Sequence, residues 1–205
     1  MSILTIALIF FGTLNYLFIF WKLLREDYSS QLIFSTGFYV IFGSLAVGLM
    51  TNKLLPGFWF WGATLGFSLG VAVSTLRYKL RLFEVLEAAG IGHIFILMTI
   101  FLADSISRSS YTSLVASLIM LGLVLMFFFL KSKYKRFSWY KSGKVGFSGL
   151  ITLGLFFILR ASFAFQAVNV LSYIEKFKFL DFGVSILIAI AMFLSVYKLS
   201  MEGVI

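Results

Sequence analysis

From Ser109 to Leu130 the chain reads SSYTSLVASLIMLGLVLMFFFL, without a single charged side chain. About 20 apolar residues, rising 1.5 Å each as a helix, cross the ~30 Å hydrocarbon core of a bilayer. Comparable runs cover roughly 3–21, 31–51, 57–76, 83–103, 112–130, 146–166 and 180–197. Lipid offers no partner to backbone N–H and C=O groups, so a spanning segment must be a helix or part of a closed barrel, and these runs lack the alternation of barrel strands. The expected fold class is an all-α integral membrane protein, a seven-transmembrane-helix bundle in which residues 1–205 form one polytopic domain.

A water-soluble surface is excluded by a composition that is 61% hydrophobic, 19% aromatic and 12% charged. With no cysteine there is no disulfide, thiolate metal site or cysteine nucleophile. One histidine with scattered carboxylates gives no metal-ligand spacing, and neither a phosphate-binding glycine loop nor a dinucleotide fingerprint occurs, so no cofactor is expected. The first apolar run lacks a positive leader and a small-residue cleavage site, which favours a span over a signal peptide.

A net charge of +9 could suggest nucleic acid, but in a membrane protein Lys and Arg chiefly report orientation, and no nucleic-acid partner is expected. Connections after the first, third, fifth and seventh spans hold Lys22, Arg25, Arg77, Lys79, Arg81, Lys131, Lys133, Lys135, Arg136, Lys141, Lys144 and Lys198. The opposite side holds Lys53, Arg108, Lys176 and Lys178. The N-terminus is therefore expected outside and the C-terminus in the cytoplasm. The loop KSKYKRFSWYKSGK, 131–144, reads either as an orientation signal with interfacial aromatics or as a surface for anionic lipid.

WGATLGFSLG places Gly62, Gly66 and Gly70 four residues apart. Glycine costs up to ~1 kcal/mol per helical position relative to alanine, so the spacing needs a reason, and close approach of a neighbouring helix supplies one. Among ionisable groups, Glu84 and Glu87 open the fourth span, where capping and pairing with the RYKLR cluster compete with paired acid–base chemistry. His93 lies about 15 Å into that span and reads as a hydrogen bond to a neighbouring helix or as a base. Asn15 reads as an interhelical contact. Arg160 cannot shed its charge; it pairs with Asp104, at a comparable depth if the fourth and sixth spans are neighbours, or presents its fork to a lipid phosphate.

Several segments, taken in order, resemble the bacterial prolipoprotein diacylglyceryl transferase family. FWKLLREDYSSQLIFSTGFYVIFGSLAVGL looks like that family's first cytoplasmic loop and second helix, and WGATLGFSLGVAVSTLRYKLRLFEVLEAAG like the next helix, its basic loop and an acidic helix start. SGKVGFSGLITLGLFFILRASFAF looks like the penultimate helix with its arginine, and FLDFGVSILIAIAMFLSVYKLS like the last. Trp61, ahead of Gly62, stands where the family carries a histidine; GSLAVG lacks the family's arginine; and ILMTIFLADSISRSS has no arginine before Arg108 and no Asn-Gly-Glu.

The resemblance implies an enzyme of the bacterial cytoplasmic membrane that moves diacylglyceryl from phosphatidylglycerol to the cysteine of a lipobox-containing prolipoprotein at the outer face. On that reading Arg160 and Arg108, with Trp61 and Gly62, bind substrate and steady the departing glycerol phosphate, while His93 or Asp104 activates the thiol. Two other readings stay open: a catalytically silent, lipid-binding relative and a small membrane transporter subunit.

Overall fold

The computed structural model describes residues 3–133, 146–165 and 177–201. Among them the chain forms seven helices: α1 (Ile3–Leu24), α2 (Ser30–Leu54), α3 (Trp59–Tyr78), α4 (Leu82–Arg108), α5 (Tyr111–Lys133), α6 (Phe147–Phe163) and α7 (Lys178–Met201). Six are long and apolar enough to cross a membrane, and α6, with 17 residues, is shorter. The chain is a multi-pass, all-α membrane protein. Most helices outrun their apolar windows, because the hydrogen-bond ladder continues through polar and aromatic residues at the ends: α2 reaches Leu54 and α7 reaches Met201. α6 departs the other way and stops at Phe163, where the Ala164 N–H bonds the carbonyls of both Arg160 and Ala161 and tightens the last turn.

Short connections force consecutive helices to run antiparallel. Between α2 and α3, the chain's only proline, Pro56, is followed by Gly57 at φ 99°, a left-handed conformation suited to glycine. Contacts between helices give the register. Gly43 meets Gly66 and Gly48 meets Ala63 across α2 and α3; Gly12 meets Thr99 and Gly92 meets Tyr16 across α1 and α4. α4 and α6 run parallel, since Gly149 lies against Glu87 and Leu153 against Gly90.

One end of the bundle therefore gathers the α1–α2 and α3–α4 connections, the C-termini of α5 and α7 and the N-terminus of α6. It carries Lys22, Arg25, Arg77, Lys79, Arg81, Lys131, Lys133 and Lys198, and is called the basic end below. The opposite end carries Trp59 and Trp61 and is called the tryptophan end.

α4 is the axis. Just over half of its most apolar window is buried, 56% against 17% for α7, and it packs on α1, α3, α5 and α6. Two cores flank it. Tyr16, Phe20, Ile33, Val40, Val71 and Val85 fill the space among α1 to α4. Ile91, Phe101, Met120, Phe127, Phe156 and Phe157 join α4 to α5 and α6. Outward faces are apolar as well, with Phe10, Phe42, Leu49, Leu76, Phe179 and Leu187 all exposed, as expected of helices solvated by lipid chains.

The glycines of WGATLGFSLG do what their spacing predicts. A Cβ on Gly66 would strike the Gly43 carbonyl, and one on Gly70 would lie 2.7 Å from the Tyr39 carbonyl oxygen. The α2 and α3 backbones are thus in direct contact, the close small-residue packing available where hydrophobic transfer no longer drives helix association.

Candidate functional site

At the tryptophan end, three helix termini converge on one buried ion pair. Arg160, in the last turn of α6, places Nη2 2.8 Å from Oδ2 and 3.0 Å from Oδ1 of Asp181, in the first turn of α7. The Trp61 indole N–H of α3 donates to the same Oδ1 at 2.7 Å. The guanidinium carbon stands 5.0 Å from the centre of the Phe60 ring and 5.9 Å from that of Trp61. Arg160 and Asp181 are 2% and 3% exposed, so the pair is withdrawn from both lipid and water. Asp181 is placed by its helix too, since its carbonyl accepts the Ser185 hydroxyl at 2.8 Å.

A guanidinium at this depth must be matched by an anion, and its planar fork suits a carboxylate. The expected partner was Asp104, and the structure corrects that pairing. Contacts of Glu87 with Gly149 and of Gly90 with Leu153 set an offset of 62 to 63 residues between α4 and α6. Arg160 is therefore level with position 97 or 98, and Asp104 lies nearly two turns farther along, about 10 Å away. Asp104 instead takes Arg108 Nε at 3.1 Å, one turn on, and the Ser113 hydroxyl at 2.6 Å, closing the α4–α5 connection.

The remaining candidates are dispersed. His93 bonds the Ala89 carbonyl of its own helix through Nδ1 at 2.9 Å, so it makes no bond to a neighbouring helix there. Its ring bridges helices by its faces and edges, 5.2 Å from Tyr16 of α1 and 4.7 Å from Phe67 of α3. Gly62 packs against Thr51 of α2. Asn15 bonds Phe11 O on its own helix rather than another helix. Of the six residues expected to form a site, Trp61 meets Arg160 and Asp104 meets Arg108, as two separate pairs, while His93 joins neither; Asp181 joins the first pair unforeseen.

A second polar layer lies at the basic end. Glu84 accepts Arg81 at 2.9 Å and the Tyr28 hydroxyl at 2.8 Å, and the same Tyr28 oxygen accepts the Arg81 backbone N–H at 3.2 Å. Burial first, and then the hydrogen bond to Glu84, raise the Tyr28 phenol above its ordinary value, the Arg81 N–H opposing them. Glu84 and its hydrogen bond hold the Arg81 guanidinium above its own ordinary value.

Glu87 leaves the RYKLR cluster that its position suggested. It accepts Lys131 of α5 at 3.0 Å and the backbone N–H of Gly149 at 3.2 Å, so its carboxylate meets an unpaired donor at the positive end of the α6 dipole. Both glutamates are 4% exposed; Glu84 ties α4 to the two neighbouring connections, and Glu87 joins α4 to α5 and α6. The loop 131–144, apart from Lys131, Ser132 and Lys133, lies outside the described residues.

Among the described residues no group of three or more His, Asp or Glu side chains could hold a metal ion. A cleft of about 340 Å³ between α6 and α7 is lined by Phe147, Ile151, Phe193, Val196, Tyr197 and Ser200, at the basic end and away from Arg160. Compared with models of known protein families, with curated proteins and with solved structures, the chain matches none.

Proposed function

We propose that this chain is a diverged, catalytically silent relative of the diacylglyceryl transferases: a lipid-binding seven-span scaffold of a bacterial cytoplasmic membrane that has given up the transfer step. The engagement of Arg160 carries this reading. Stabilising a departing glycerol phosphate needs a cation that a lipid phosphate can reach. Arg160 is spent on Asp181, under Phe60 and Trp61, and 2% exposed. The bases suggested for the thiol are committed elsewhere, His93 to Ala89 and Asp104 to Arg108 and Ser113. The proposed orientation, N-terminus outside and C-terminus cytoplasmic, is supported by the gathering of Lys and Arg at one end of the bundle.

A retained transferase acting on phosphatidylglycerol and a lipobox prolipoprotein is the second reading. It is favoured by Trp61 and Arg160, expected to bind substrate and 99 positions apart, coming together at one end of the bundle. Purified protein, given phosphatidylglycerol with a labelled diacylglyceryl group and a lipobox peptide, is expected to transfer none under conditions where an authentic transferase works. It is likewise expected not to rescue cells depleted of that enzyme. Transfer that disappears in Arg160→Gln would establish the second reading in its place.

A further inference from the structure

At the basic end, Lys22 is seated between aromatic rings of two helices, as Arg77 is, but without the phenol hydrogen bond that occupies Arg77. Its ammonium lies 5.9 Å from the centre of the Phe18 ring, one turn back on α1, and 5.9 Å from that of Phe128 on α5. Phe128 in turn meets Phe127 with ring centres 5.2 Å apart. Both α1 and α5 pack on α4, and Lys22 lies where the end of α1 comes near Phe128 of α5. Phe18 and Phe128 are both exposed, at 53% and 37%, and both face the lipid-solvated surface. One turn farther, Arg25 stacks 5.0 Å over Trp21.

Of the cations at the basic end, Lys131 is neutralised by Glu87 and Arg81 by Glu84. Lys22 and Arg25 have no carboxylate partner among the described residues, and the exposed Glu26 and Asp27 pair with neither. An ammonium over aromatic rings at a helix end, with apolar ring walls below it, is shaped for a ligand that is anionic at the top and aliphatic beneath. We infer that Lys22, set between Phe18 and Phe128 and backed by Arg25, binds the phosphate of an acidic phospholipid from the surrounding bilayer, whose acyl chains lie against the exposed rings of Phe18 and Phe128. This site is independent of Arg160 and of whether transfer chemistry survives.

The full chain in nanodiscs of phosphatidylcholine containing a minor share of phosphatidylglycerol is released into a native mass spectrometer, and the lipids retained are counted. Wild type is expected to retain phosphatidylglycerol over phosphatidylcholine. Lys22→Gln lowers that preference about fivefold, the worth of one cation at an anionic surface. Lys22→Arg preserves it, and Lys133→Gln, at a cation seated over Phe129 of its own helix with no second helix beside it, leaves it unchanged. Equal retention in Lys22→Gln and wild type overturns the site, and so does an equal loss in Lys133→Gln, which would make the effect one of diffuse charge. Soluble glycerophosphate in excess is expected not to displace the lipid; displacement would show a headgroup site to which the acyl chains add nothing and overturn the inference as stated.

Should Lys22→Gln fail to insert, Trp21 reports instead, its share of the quenching being the difference between a chain carrying Trp139→Phe and the same chain carrying Trp21→Phe as well, since Trp59 and Trp61 contribute equally to both. Brominated phosphatidylglycerol then quenches Trp21 more than an equal share of brominated phosphatidylcholine. Equal quenching by the two lipids overturns the site.

Discussion

Asp181 and Arg160 are worth more as a pair than either is alone. Taking the carboxylate's charge from this site removes the anion that Arg160 Nη2 meets at 2.8 Å, and breaking a buried pair at one partner costs about 3–5 kcal/mol, whereas removing both charges together costs far less. In a denaturing-detergent titration, Asp181→Asn is expected to unfold well before wild type, and Arg160→Met with Asp181→Leu to recover most of the difference. A double variant as weak as the single one would mean that Trp61, which donates to Asp181, and the rest of the surround depend on the charges themselves. The arginine is conspicuous in the sequence because nothing else of its kind lies within an apolar run. Its partner is harder to read. Depth suggested Asp104, but matching depths across two helices needs their register, which is set by Gly90 against Leu153 and is invisible in hydropathy. The available clue was the hairpin geometry of α6 and α7, which brings the end of one beside the start of the next and so makes Asp181, 21 residues on, the natural counter-ion.

The α2–α3 hairpin shows the reverse balance, since its packing was legible from the spacing of three glycines alone. Four-residue intervals line one helix face whatever the fold around it, and only the partner, Gly43 and Gly48 on α2, had to come from the structure. The seam is unforgiving because the groups facing it are backbone. Gly66→Ala is expected to destabilise by about 1–3 kcal/mol, as overpacking does, because the Gly43 carbonyl has no rotamer to adopt. Gly122→Ala is the matched control: nothing lies within 4 Å of a Cβ there, so its melting temperature in detergent should hold or rise. Equal losses at both positions would assign the effect to helix propensity and remove the seam from the account. Helix bounds were the weaker reading. Hydropathy ends where side chains turn polar, whereas helices end where the backbone loses its partners, as at Leu54 and Phe163.

For the whole molecule, the separation of a basic end from a tryptophan end is a statement about orientation that the chain's own composition makes easy to test. With no native cysteine, a single one placed at Glu26 or at Ser109 gives an unambiguous label. In intact cells a membrane-impermeant maleimide is expected to modify Ser109→Cys and to spare Glu26→Cys until the membrane is opened; the opposite pattern would invert the proposed topology. The same asymmetry bears on how the molecule is made. α7 is mostly exposed, and its packing in the bundle is chiefly against α6, yet it supplies the anion that α6 requires. During synthesis Arg160 enters the membrane ahead of Asp181, and an arginine in a span costs up to about 2.5–3.5 kcal/mol to release into lipid at a helix centre, less in the last turn where Arg160 stands. The last two helices must therefore leave the translocon together, as a hairpin. A chain cut short between them lacks the anion that α7 brings to Arg160, so α6 settles in the membrane only once α7 has followed it.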